Sequence, residues 1–154
     1  MSGTKHKVFT ILLVEDDAGD VDMFLRTVEH ELPRHEDEQV TLVINATAEG
    51  ALERLQQQPI DLIIADVRLP GMSGIELLRR VQDLNRRIPV IIVSWVHAIE
   101  TVIDAMRHGA FDYIVKPYDT MDLSARIHRA MRMSEILLQA LPRSEERRVG
   151  KECL

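Results

Sequence analysis

The sequence has a single cysteine, Cys153, the last residue but one. One thiol closes no disulfide within the chain and builds no cysteine metal cluster, so a reducing cytoplasm suits it. Long apolar runs are missing too: none approaches the ~18 residues of a membrane span. The opening MSGTKHK leads straight into an apolar strand pattern without a signal-peptide cleavage site. Basic charge is in short supply. Lys and Arg number 19 against 25 Asp and Glu, a net charge of −6, which disfavours a general nucleic-acid binder. Internal repeats and low-complexity blocks are absent. What remains is ordinary for one globular domain: 154 residues, 45% hydrophobic and 29% charged, enough apolar material to fill a core.

Short apolar runs alternate with longer amphipathic stretches. Val8 to Val14, Val40 to Ile44, Leu62 to Ala65, Pro89 to Val93 and Tyr113 to Val115 are nearly continuous in β-favouring residues. Strands this uniformly apolar are covered on both faces, as in a parallel sheet between helices. Between them, apolar residues recur at spacings of three and four: Val21, Phe24, Leu25, Val28 and Leu32 up to Pro33; Ala48, Ala51, Leu52 and Leu55 up to Pro59. The same spacing links Ile75, Leu77, Leu78, Val81 and Leu84 after Ser73; Ile99, Val102, Ile103 and Met106 before Gly109; and Leu123, Ile127, Ala130 and Met131 after Asp119. Ser73 and Asp119 read as N-caps and Gly109 as a C-cap. Five βα units predict a doubly wound α/β sandwich with right-handed crossovers. Strand order is not readable at this point. The predicted organisation is a leader at 1–7, one domain at 8–133, and an extension at 134–154 that finishes a helix and continues as a mobile tail beyond Pro142. Residues 33–39 (PRHEDEQ) read as a solvated loop.

In a doubly wound sheet, ligands bind beyond the carboxyl ends of the strands. The first strand ends in Asp16 and Asp17, the third in Asp66, the fourth in Ser94 and the fifth in Lys116-Pro117. Three carboxylates repel one another, and one lysine does not neutralise them all. A hard divalent cation such as Mg²⁺ would, while keeping open positions for phosphoryl oxygens. A carboxylate beside it can attack phosphorus and form an acyl phosphate, with Lys116 and Ser94 contacting the transferred group. Each residue also has a bland reading: paired acids cap helices, Ser94 caps the helix after it, and Lys-Pro is a common surface turn. All of them at strand ends, in this order, outweighs those separate readings.

At this point the sequence resembles the receiver domain of two-component response regulators, over roughly Val8 to Met133. The matching motifs are ILLVEDD at 11–17, DLIIADVRLPGMSGIELL at 61–78, PVIIVS at 89–94 and GAFDYIVKP at 109–117. The resemblance implies a flavodoxin-like (βα)5 fold with strand order 2-1-3-4-5, and a Mg²⁺-dependent transfer of phosphate from a histidine kinase or phosphotransfer protein to an aspartate. It makes Asp66 the phospho-acceptor, Asp16 and Asp17 the acidic pair that holds Mg²⁺ with Asp66, and Arg68 the residue whose backbone carbonyl completes the metal shell. Ser94 matches the switch hydroxyl, Lys116 the phosphate-contacting lysine and Tyr113 the aromatic switch. The Lys116–Pro117 bond matches one that is cis in the family. The resemblance also implies a cytoplasmic phosphoprotein, a switch and not a turnover enzyme, acting on a protein partner or through a homodimer built on the face from the fourth to the fifth helix.

Trp95 departs from the pattern, since the residue after the switch hydroxyl is usually small in receivers. Its indole either narrows access to Asp66 or packs outward. An aspartyl-phosphate hydrolase is the competing enzyme reading, but such enzymes commonly carry a second Asp two residues after the nucleophile, and Arg68 stands there. A flavin-binding module would want an anion-friendly loop after the first strand, where Glu15-Asp16-Asp17 repels phosphate. Retention of the acids and Lys116 weighs against a static scaffold. The segment 134–154 is too short for a helix-turn-helix domain, so the expectation is a stand-alone receiver or the receiver of a larger transcription regulator or hybrid kinase, with no membrane or nucleic-acid contact of its own.

Overall fold

The computed structural model describes residues 7–33, 35–85 and 87–140, without the side chains of 138–140. Five strands form one parallel sheet: β1 (Lys7–Val14), β2 (Glu38–Asn45), β3 (Leu62–Ala65), β4 (Val90–Ser94) and β5 (Asp112–Val115). They are joined by α1 (Ala18–Glu31), α2 (Ala48–Gln57), α3 (Gly74–Leu84) and α4 (Ile99–Arg107), and α5 (Thr120–Ala140) follows the last strand. The order across the sheet is β2-β1-β3-β4-β5, the doubly wound flavodoxin-like arrangement.

Alternation along each strand divides the core into two layers. Ile11, Leu13, Leu62, Ile64, Ile91 and Val93 point to one face and pack against Phe24 and Val28 of α1 and Leu123, Ile127 and Met131 of α5. Leu12, Val14, Ile63, Ala65, Val90 and Ile92 point to the other and meet Ala48 and Ala51 of α2, Leu77, Leu78 and Val81 of α3 and Ala105 of α4. Strands apolar on both sides are what a buried parallel sheet requires. The β2 edge strand is the exception: none of its residues is fully buried. It begins at Glu38, inside the stretch expected to be loop, because Glu38 pairs in register with Lys7 and its carboxylate receives both ends of the Arg132 guanidinium, at 2.6 and 3.1 Å.

The helix starts are chemically marked. Asp17, Thr47 and Ser73 each accept a hydrogen bond from the backbone N–H three residues on, capping α1, α2 and α3. Asp119 accepts from the N–H groups of Met121 and Asp122 at the start of α5. Gly109 follows α4 with φ +90°, a conformation that disfavours side chains. The last helix, α5, runs to Ala140; the expected tail beyond Pro142 lies outside the described residues.

Candidate functional site

The β1–β3 register pairs Val14 with Ala65, so the next residues, Glu15 and Asp66, emerge side by side at the carboxyl edge of the sheet. The β4–β5 register pairs Ser94 with Val115, which places Lys116 one residue further along. The Lys116 N–H donates to the Ser94 carbonyl at 2.8 Å, prolonging that ladder. Four side chains from four neighbouring strands thus converge.

Asp66 is buried and every carboxylate oxygen is engaged. Its Oδ1 accepts from Ser94 Oγ at 2.7 Å and from the Arg68 N–H at 3.1 Å, and its Oδ2 accepts from Lys116 Nζ at 2.8 Å. The same ammonium donates to Glu15 Oε2 at 2.8 Å and to Asp20 Oδ2 at 2.7 Å. Glu15 Oε1 accepts the Asp16 and Asp17 N–H groups, both at 3.1 Å. Burial works against ionising Asp66, but Lys116, Ser94 and the Arg68 N–H together hold its carboxyl below the usual range. For Glu15 burial wins, and its carboxyl is pushed up despite Lys116. Burial alone would lower the Lys116 ammonium, yet Asp20, Asp66 and Glu15 raise it above its ordinary value, so it is charged at every physiological pH.

Of the residues expected at the site, Asp66, Ser94 and Lys116 are brought into contact. Arg68 turns its side chain to solvent while its backbone N–H holds Asp66. Asp16 and Asp17 lie exposed at the rim, and Asp17 Oδ1 is occupied by the Asp20 N–H as the cap of α1. Tyr113 is half-buried, its hydroxyl donating to the Val96 carbonyl. Burial, then the Asp66 charge, raises its phenol above the ordinary value. Trp95 is 56% exposed and does not line the cavity beside Asp66, which accords with the outward-packing reading. The Lys116–Pro117 bond is cis.

Three residues escaped the sequence reading. Two are Glu15 and Asp20, whose carboxylate oxygens lie within 4.8 Å of one another and of an Asp66 oxygen. Glu15 could have been found from the strand ladder, because it follows β1 as Asp66 follows β3. Asp20 belongs to the first turn of α1, and no motif flags it. Gly74 is the third: a Cβ there would sit 1.9 Å from the Asp66 carbonyl oxygen, so only glycine lets α3 start against the loop that carries Asp66.

Fold and pocket together define a doubly wound domain with a buried carboxylate–lysine site on its ligand-binding edge. The chain belongs to the response regulator receiver domain family, whose profile matches residues 11–128. Among curated relatives, the transcriptional regulatory protein ZraR of Escherichia coli (strain K12) is 40% identical over 81 residues, covering 53% of this chain and 18% of the relative. The regulatory protein LuxO of Vibrio cholerae is 32% identical over 98 residues, covering 64% of this chain and 22% of the relative. The chain therefore spans about a fifth of the length of these larger regulators. A CheY-like response regulator receiver domain protein from Methanospirillum hungatei JF-1 superposes with TM-score 0.74 at 28% identity, over 84% of this chain and 98% of that one. Receiver domains are phosphoryl-accepting switches of two-component systems that interact with histidine kinases or phosphotransfer proteins. No helix among the described residues is long and apolar enough to cross a membrane.

Proposed function

We propose that Asp66 is the phospho-acceptor of this receiver and that Lys116 and Ser94 hold the transferred group. The observation that carries the reading is the set of bonds on Asp66: a depressed carboxyl, ionised and nucleophilic at neutral pH, with one cation and one hydroxyl already touching it. An Asp66 carboxylate oxygen attacks the phosphorus of a phosphohistidine or a small acyl phosphate. The bond from phosphorus to the leaving nitrogen or oxygen breaks, its electron pair stays with the leaving group, and the new O–P bond makes an acyl phosphate. Lys116 and Ser94 then meet negative charge on the phosphoryl oxygens.

The donor set suits a hard divalent cation, because three clustered carboxylates face one ammonium and every donor is oxygen. Mg²⁺ would be held by Asp66 and Glu15, with Asp16 and the Arg68 carbonyl at the mouth. Asp17 contributes less, since it caps α1. When bound, the ion supplies charge neutralisation between carboxylate and phosphoryl group. Arg68 stands where a hydrolase would carry its general acid, so the chain is a switch and not a turnover enzyme. Its output would pass through Ile99, Ile103, Met106 and Val115, exposed apolar residues on α4 and β5, to a protein partner or a second receiver. The lone cysteine and the kinase class of partner agree with the cytoplasm.

The test is labelling with Mg²⁺ and acetyl phosphate or a histidine kinase. Wild type gains one acid-stable, base-labile phosphate and releases inorganic phosphate slowly; Asp66→Asn gains none. Equal labelling of the Asn variant would overturn the assignment, and rapid multiple turnover would favour the hydrolase.

A further inference from the structure

Lys116 has three N–H donors, and all three are spent on carboxylates: Glu15 at 2.8 Å, Asp20 at 2.7 Å and Asp66 at 2.8 Å. The lysine is saturated. The cavity lined by Glu15, Asp20, Asp66, Lys116 and Tyr118 measures only about 10 Å³, room for a single water. A phosphoryl group on Asp66 brings three acceptor oxygens, and Lys116 can donate to one of them only by giving up a partner it already has.

The three partners are not equally free to leave. Asp66 is the reacting group. The Glu15 side chain is 7% exposed, and its other oxygen is held by the Asp16 and Asp17 N–H groups, so it is fixed in the pocket and water has no access to take the ammonium's place there. Asp20 differs on both counts. Its side chain is 30% exposed and stands on the first turn of α1, where water can replace Lys116 at once. Resting on the reading of Asp66 as acceptor, we propose that Asp20 is a positioning residue for phosphoryl transfer: its carboxylate holds the third N–H of Lys116 in the resting state and yields it when the phosphoryl group arrives. Asp20 thereby competes with the phosphoryl oxygens for the same donor, and its own negative charge faces theirs. Removing it leaves Lys116 with a donor in hand and lifts that repulsion.

Beryllofluoride, which mimics a phosphoryl group on a carboxylate, is the probe, titrated at Mg²⁺ concentrations that saturate each variant. Asp20→Ala is expected to bind it about tenfold more tightly than wild type, the scale of one charge-assisted hydrogen bond. Asp20→Asn, matched in size, moves in the same direction and stands in should the alanine variant fold poorly. Asp20→Glu restores a carboxylate within reach of Lys116 and returns affinity towards wild type, a rescue that a purely structural role for Asp20 would not predict. Equal or weaker binding by both Asp20→Ala and Asp20→Asn would overturn the proposal, weaker binding being the sign of an ion ligand. Asp66→Asn is run beside them: undiminished binding there refutes the acceptor assignment itself, a failure separable from that of Asp20.

Discussion

Replacing Lys116 with methionine should destabilise the protein by an amount that depends on pH in a calculable way. The substitution keeps the stem and removes the charge, leaving Glu15 and Asp66 facing each other in a site where their side chains are 7% and 8% exposed. Breaking a buried ion pair from one side costs about 3–5 kcal/mol. Protonation sets a ceiling, because one of the two carboxyls can instead take a proton and stop repelling the other. For a glutamate with ordinary value 4.5, holding that proton costs about 4 kcal/mol at pH 7.5 and about 1.4 kcal/mol at pH 5.5, at 1.36 kcal/mol per unit. Asp20 adds little to either figure, as its carboxylate returns to water. Without Lys116 the folded carboxyls titrate above their unfolded values, so the folded state binds the extra proton and stability falls as pH rises. Urea denaturation followed by circular dichroism, at both pH values, measures the difference. The variant should sit about 4 kcal/mol below wild type at pH 7.5 and recover about 2–3 kcal/mol of that at pH 5.5. A variant as stable as wild type, or one equally destabilised at both pH values, would refute the view that the ammonium neutralises a buried carboxylate pair.

Arg132 holds the Glu38 carboxyl down at about 2, so its stabilisation is complete above pH 4.5 and is lost as pH falls towards 2. Glu38→Gln should remove about 3 kcal/mol from the acid-induced loss across that window, and identical acid slopes for variant and wild type would contradict it. Gly74→Ala must push α3 away from the Asp66 carbonyl; a loss of about 1–3 kcal/mol together with slower phosphorylation is expected, and unchanged melting would show that the contact is soft. Asp17→Ala should cost about 1 kcal/mol through the lost cap while Asp17→Asn costs almost nothing, compared by thermal denaturation. Equal losses would point to charge, not capping.

Five strands and five helices were legible because a parallel sheet buried on both faces leaves continuous apolar runs, and amphipathic helices leave spacings of three and four. The exceptions have physical causes. The β2 strand reaches Glu38 in a charged segment because a distant residue, Arg132, neutralises that glutamate. Among the three consecutive acids after β1, position alone does not say which carboxylate turns inward. That follows from the pairing of Val14 with Ala65, a contact between strands far apart in sequence. Glu15 therefore points into the pocket, while Asp16 and Asp17, the pair implied by resemblance, stand at its rim. Asp66, Ser94 and Lys116 were readable because each ends a strand. Asp20 was not, because its contact with Lys116 depends on how the first turn of α1 tilts over the sheet edge.

The central claim is that phosphate lands on Asp66, and chemical trapping tests it directly. An acyl phosphate is reduced by borohydride at the carbonyl carbon, releasing phosphate and converting the aspartate to homoserine. Wild-type protein labelled with Mg²⁺ and acetyl phosphate, trapped and analysed by peptide mass spectrometry, should carry homoserine at position 66 and retain unmodified Glu15, Asp16, Asp17 and Asp20. Homoserine at any other acid, with position 66 still aspartate, would contradict the account.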